Sequence, residues 1–217
     1  IEREEPEPDT SAEGIIRDLK KCIQCGRCVA ACNPNVMHEV LDFGWRGAHC
    51  QVICDDDRPM GDSSCVQCGE CVQVCPVGAL VFKPSKGQAR WWDTEKKQVI
   101  CPYCGVGCVI DMHVKDNRVM WAMGAEDRWE KRPNKGMLCV KGRFGLDFLG
   151  RPDRLTKPLI RRSKGGQLEE ASWDEALDLC ARRLREVREQ HGASALGFFA
   201  SAKQTNEENY AMMRLAR

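Results

Sequence analysis

The chain has 217 residues, with 33 basic and 32 acidic side chains and a net charge of +1. That balance leaves no overall field to draw nucleic acid or an anionic membrane, and no stretch approaches the eighteen apolar residues of a membrane span. What stands out is fifteen cysteines. Most of them are crowded with two or three residues between neighbours, which suits sulfur ligands converging on one inorganic core better than long-range disulfides. A reducing, cytoplasmic setting is therefore expected. The acidic start (Glu2, Glu4, Glu5, Glu7, Asp9) is unlike a secretory n-region, although the chain opens on Ile1, which leaves an upstream segment open.

Residues 1–17 are charged, carry Pro6 and Pro8, show no apolar period and read as a linker. Residues 18–83 hold two cysteine runs around a Gly- and Asp-containing insert. The first is Cys22-x2-Cys25-x2-Cys28-x3-Cys32; the second is Cys65-x2-Cys68-x2-Cys71-x3-Cys75, followed by Pro76. Each matches the run of two-cluster bacterial ferredoxins. A short loop around a cubane directs three thiolates at three irons, while the fourth comes from farther away. In such ferredoxins the fourth cysteine of one run ligates the other cluster. The expected 4Fe-4S sets are therefore Cys22, Cys25, Cys28 and Cys75 for the first cluster, and Cys32, Cys65, Cys68 and Cys71 for the second. Gly26 and Gly69 lie inside the loops, where the lack of a Cβ lets the backbone bend close to sulfur. Zinc is the alternative, but a zinc ion needs four sulfurs and these runs offer eight. Cys50 and Cys54, near His38 and His49, read as ordinary packed thiols, with an additional metal as the alternative.

Residues 84–97, with Pro84, Gly87, Trp91 and Trp92, read as a second linker. In 98–150, Cys101, Cys104 and Cys108 are followed thirty-one positions later by Cys139. This pattern suits a third cubane, with zinc again as the alternative. Val109 to Met123 is extended and broken at Asp116-Asn117, as in a hairpin, and His113 on it reads as a surface residue. The tryptophans Trp91, Trp92 and Trp121 read as water-excluding or core-filling groups.

After Gly150 cysteine nearly vanishes. Ser172 to Glu175 has capping-box spacing and opens a helix whose Ala176, Leu177, Cys180, Leu184 and Val187 form an apolar stripe, with His191-Gly192 as a stop. On that stripe Cys180 reads as a buried structural thiol. Ala195 to Ala200 reads as a buried strand, and Thr205 to Glu208 starts another helix. One strand with two helices cannot cover a parallel sheet, so 151–217 reads as the incomplete start of an α/β domain.

Cys-Pro-Tyr-Cys-Gly-Val-Gly-Cys (101–108), Gly136 to Gly142, Arg151 to Leu155 and Ser172 to Leu177 resemble the opening of a molybdopterin oxidoreductase, with formate dehydrogenase as the nearest match. The paired runs before them resemble the module of NAD-linked formate dehydrogenases and of the large iron-sulfur subunit of respiratory complex I. The resemblance implies a two-cluster ferredoxin-like module, a small β-rich 4Fe-4S module and the start of an α/β molybdopterin domain, an α+β to α/β architecture overall. It implies three 4Fe-4S clusters, and a molybdopterin guanine dinucleotide with molybdenum or tungsten in the complete enzyme. Lys141 matches a lysine between the third cluster and the pterin, and so is the candidate cofactor-binding electron relay. The metal-ligating residue, with its catalytic histidine and arginine, falls downstream of Arg217 in the family, so no catalytic residue is assigned here. The implied activity is formate oxidation or carbon dioxide reduction within a multi-subunit complex, with a flavin subunit using NAD or NADP as acceptor. The alternative is a non-catalytic iron-sulfur relay subunit.

Overall fold

The computed structural model describes residues 6–127 and 129–217, in two compact units, 1–150 and 151–217. The first unit opens with a pseudo-symmetric pair of cysteine loops. β1 (Ile15–Arg17) pairs antiparallel with β4 (Leu80–Phe82), and β2 (Leu41–Gly44) pairs antiparallel with β3 (Gln51–Cys54). Two single-turn helices, α1 (Arg27–Ala30) and α2 (Glu70–Gln73), follow the two cysteine loops. Pairing of β1 with β4 brings the two ends of this module together, so the second cysteine run returns to the first. Between the elements lies a core of Ala12, Ile15, Val40, Leu41, Val52, Met60 and Leu80, together with Cys32, Cys54 and Cys71. Enclosing Ile15 alone contributes about 2 kcal/mol relative to leaving it in water.

The described part of segment 1–17 is not a linker. Ala12, Ile15 and Ile16 are buried, and Arg17 is enclosed, its Nη1 donating to the Val52 carbonyl at 2.9 Å and its Nη2 pairing with Asp9 at 3.3 Å. Burial pushes the Asp9 carboxyl up, but hydrogen bonds from Ser11 and Met60 and the Arg17 charge together hold it below its ordinary value. Two prolines and a run of acids hid a short strand whose apolar content is only Ile15-Ile16. The expected linker's first five residues lie outside the described ones.

Segment 84–97 also differs from a plain linker. It holds two 3-10 turns (Lys83–Ser85 and Trp91–Asp93), and β5 (Glu95–Ile100) begins inside it. β5, β6 (Val109–Lys115) and β7 (Arg118–Gly124) form a three-stranded antiparallel sheet. Asp116 and Asn117 both have positive φ, 49° and 57°, as a two-residue type I′ hairpin turn requires. β5 escapes a sequence reading because Glu95-Lys96-Lys97-Gln98 carries no apolar alternation; its ladder to β6 holds it in the sheet.

His113 is buried rather than on the surface. Its ring stacks on Trp121 (5.0 Å, 17° between planes) and lies 4.1 Å from the half-exposed Trp91, while Nδ1 is 3.0 Å from the Thr94 hydroxyl. Trp92, by contrast, is 79% exposed and fills no core.

In the second unit, β8 (Leu159–Ile160) and β9 (Glu169–Glu170) form a small hairpin, followed by α4 (Trp173–His191) and α5 (Asn206–Ala216). The Ser172 hydroxyl accepts from the Glu175 N–H, and Thr205 with Glu208 makes a reciprocal capping box. Two expectations are corrected here. Cys180 is exposed, because the stripe on α4 meets no packed layer among the described residues of its unit. Ala195 to Ala200 forms no strand: a 3-10 turn ends at Ala195, and the β8–β9 sheet of this unit takes no third strand to satisfy its backbone hydrogen bonds.

Burial disfavours the charged form of His113 and lowers its pKa from the ordinary 6.5. The stability this contributes is present above 6.5 and is lost as pH falls below 6.5 through the lowered folded-state value. Thermal unfolding of wild type at about pH 7.5 and 5.5 should show an acid-dependent loss. His113→Phe, which keeps the ring stack and removes the titrating group, should show a smaller loss over the same interval.

Candidate iron-sulfur centres and the joint between them

Each ferredoxin-type loop turns through left-handed backbone at matching places. Gln24 and Gln67 have φ of 55° and 53°, and Gly26 and Gly69 have φ of 73° and 77°. In both loops the glutamine N–H points at the first cysteine sulfur, Gln24 N to Cys22 Sγ and Gln67 N to Cys65 Sγ, each at 3.4 Å. Backbone donors to sulfur stabilise a thiolate and the added charge of a reduced cluster.

The fold brings the cysteines together in two crossed groups. One cavity is lined by Cys22, Cys25, Cys28 and Cys75 beside Gly26 and Pro76, and a second by Cys32, Cys65, Cys68 and Cys71 beside Gly69. In the third module Cys101, Cys104, Cys108 and Cys139 are electrostatic neighbours. The Cys101 N–H donates to the Cys108 carbonyl at 2.8 Å and closes that loop, while Cys139 caps α3 (Val140–Phe144) at its N-terminus. Lys141, two residues beyond Cys139, is exposed.

Burial pushes the thiols up: Cys28 to about 11, Cys71 well above its ordinary value, and Cys65, Cys68, Cys101 and Cys108 upward as well. Neighbouring thiolates add to the rise in each case. Thiols raised by burial and by their neighbours' charge give up their protons to a strong Lewis acid such as iron. The four-sulfur lining of each of the two cavities fits a 4Fe-4S group. In the insert, Cys54 is buried whereas His38 and His49 are exposed and Cys50 is only partly enclosed. Cys54 is fully buried at the end of β3, its thiol pushed up to about 12 by burial.

A polar joint links the ferredoxin-like module to the third one, and the sequence reading missed it. Arg143 on α3 is enclosed, with Nε donating to the Cys68 carbonyl (3.1 Å) and Nη1 to Gln73 Oε1 (2.7 Å) and the Ala122 carbonyl (3.1 Å). Nη2 pairs with Glu70 Oε1 at 2.5 Å, and that same oxygen accepts from Leu138 N–H at 2.8 Å. Gln73 adds two further crossings, accepting from Gly124 N–H at 3.0 Å and donating to the Gly136 carbonyl at 3.0 Å. Arg143 stands four residues after Cys139 in a charged, Gly-containing stretch, and nothing in its local pattern separates it from a surface arginine. The one available signal was the charged Glu70 between two cysteines of a ligand loop.

A 4Fe-4S dicluster domain model matches residues 21–79, a molybdopterin oxidoreductase Fe4S4 domain model matches 94–150, and a molybdopterin oxidoreductase model matches 154–217. Cysteine-rich modules of this class carry iron-sulfur clusters for electron transfer. By these matches the chain belongs to the molybdopterin oxidoreductases. It is 38% identical over 238 aligned positions to "Putative formate dehydrogenase YrhE" of Bacillus subtilis, an alignment covering 92% of this chain and 24% of that protein. Proteins of the same description from Staphylococcus aureus and Staphylococcus haemolyticus are 36% and 35% identical over the same shares. The chain thus spans about a quarter of the length of the curated relatives it matches.

Within the third module, the end of β7 and the loop before Cys139 come into close contact at Gly124. A Cβ there would lie 1.8 Å from the Gly136 carbonyl oxygen. Gly124→Ala should force the backbones apart and cost about 3 kcal/mol. Differential scanning calorimetry should register the loss as a lower melting temperature, and hydrogen exchange should rise at the Gly124 amide that donates to Gln73.

Proposed function

We propose that this chain is the electron-conducting front of a formate dehydrogenase, in which formate is oxidised to carbon dioxide, or carbon dioxide reduced, at a molybdenum or tungsten pterin centre. The observation that carries the reading is the crossed lining of the two cavities, each by three cysteines of one run and the fourth of the other. Cys22, Cys25, Cys28 and Cys75 would hold one cluster, Cys32, Cys65, Cys68 and Cys71 a second, and Cys101, Cys104, Cys108 and Cys139 a third. When bound, such clusters supply one-electron transfer at potentials tuned by hydrogen bonds, charge and exposure.

The chain's own residues do three things for that chemistry. Ile15, Leu41, Met60 and Leu80 exclude water around the paired sites. The backbone donors at Gln24 and Gln67 stabilise sulfur charge. The Glu70, Gln73 and Arg143 joint holds the third module against the second run, which fixes the separation an electron must cross. Exposed Lys141, two residues from Cys139, is the side chain assigned toward the pterin. The acceptor is a flavin subunit using NAD or NADP, in a multi-subunit complex in the cytoplasm. No helix among the described residues is long and apolar enough to cross a membrane.

The test is anaerobic iron, sulfide, molybdenum and tungsten analysis of the native complex with reduced-state EPR. Three clusters require about twelve iron and twelve sulfide per copy of this chain, after allowance for partner subunits. Zinc with little iron would overturn the reading, and the expected iron without molybdenum or tungsten would leave a relay subunit. Cys139→Ala should remove one cluster signal and leave the ferredoxin-type pair. Cys75→Ala should damage the cluster of Cys22, Cys25 and Cys28; selective damage to the other set would refute the crossing.

A further inference from the structure

The Arg143–Glu70 pair is enclosed to an extent that stability alone does not explain. The Arg143 side chain has 0% exposure and that of Glu70 7%. An ion pair taken this far from water costs several kcal/mol per ion to desolvate, and a well-packed apolar pair would serve a purely mechanical joint as well or better. The position of the charges is the distinguishing feature. Glu70 lies between Cys68 and Cys71 in sequence, and Arg143 donates directly to the Cys68 carbonyl while its guanidinium lies 5.5 Å from the centre of the Phe82 ring. Gly69 leaves the room: a Cβ there would meet the Arg143 side chain at 3.0 Å.

We propose that this pair is the electrostatic set-point of the cluster held by Cys32, Cys65, Cys68 and Cys71, with the compensating cation supplied by the neighbouring module. A cluster gains one negative charge on reduction, so a nearby carboxylate disfavours and a nearby guanidinium favours the reduced state, both strongly in surroundings this poor in water. The carboxylate is built into the second cysteine loop. The cation arrives only when α3 of the third module docks. Seating of the third module therefore raises the potential of the adjoining cluster and readies it to exchange electrons with the cluster of Cys101, Cys104, Cys108 and Cys139. Arg143 and Glu70 are positioning residues acting through the cluster's environment, and the inference rests on the ligand set proposed above.

The experiment is an EPR-monitored redox titration of the native complex, comparing wild type with Glu70→Gln and with Glu70→Gln/Arg143→Met. The glutamine can still accept from Arg143 and Leu138, while Arg143 keeps its charge. Glu70→Gln should raise the midpoint potential of that one cluster, by about tenfold in its reduced-to-oxidised ratio at fixed poise, or about 59 mV for a one-electron couple. The double variant, lacking both charges, should return toward wild type, and the other two clusters should move little in either. An unmoved or lowered potential in Glu70→Gln at full iron content, or a double variant that stays raised, would overturn the proposal. Should Glu70→Gln lose iron, Glu70→Met carries the same expected rise; loss of iron in both would make the pair purely structural and also overturn it. Failure of the ligand reading is separable, because Cys71→Ala would then leave all three wild-type signals intact.

Discussion

Four sulfurs cannot be aimed at one cubane by a single tight loop, and most of the first unit follows from that constraint. Three cysteines at two-residue spacing use up the turn that left-handed Gln24 and Gly26, or Gln67 and Gly69, make possible. A fourth sulfur reaches each cavity from the far end of the other run. The chain satisfies this by pairing β1 with β4, so that Cys75 returns to the first loop while Cys32 reaches the second. Neither half of the module can close its site without the other, and the small core between them is held as much by that exchange as by its few aliphatic side chains.

The third module faces a different problem, since its fourth cysteine, Cys139, lies beyond a whole hairpin. The three-stranded sheet brings the chain back, and the cap of α3 presents Cys139 to the loop of Cys101 to Cys108. The same short helix then sends Arg143 the other way, into the second cysteine loop. One helical turn thus carries a thiol for one site and a cation for its neighbour. For a protein that passes electrons between sites this is an economical device, because the separation and the electrostatic bias are set by the same backbone.

The cysteine sets were legible before any fold was known, because ligand spacing is a local property and few chemistries need it. The helix caps at Ser172 and Thr205 and the turn at Asp116-Asn117 were legible for the same reason. Elements whose reason for existing is nonlocal were not. β1 has two apolar residues and a charged flank, β5 is a strand of lysine and glutamate, and His113 sits in an unremarkable alternating stretch; each is placed by what packs or pairs across from it. The strand expected at Ala195 to Ala200 fails for the converse reason, an apolar run without partners in its unit.

By itself, the sequence determined the cysteine spacing and the order of the modules, since these rest on residue type and short-range pattern. Only the tertiary structure decided that Ala12 and residues 14–17 are enclosed, that His113 is enclosed, and that Glu70, Gln73 and Arg143 meet. Arg143 stands some seventy positions from Glu70 and Gln73, and no local pattern encodes their contact. The physical reason is that a buried charge is tolerated only beside its partner, and which residue is the partner is a property of the packed chain.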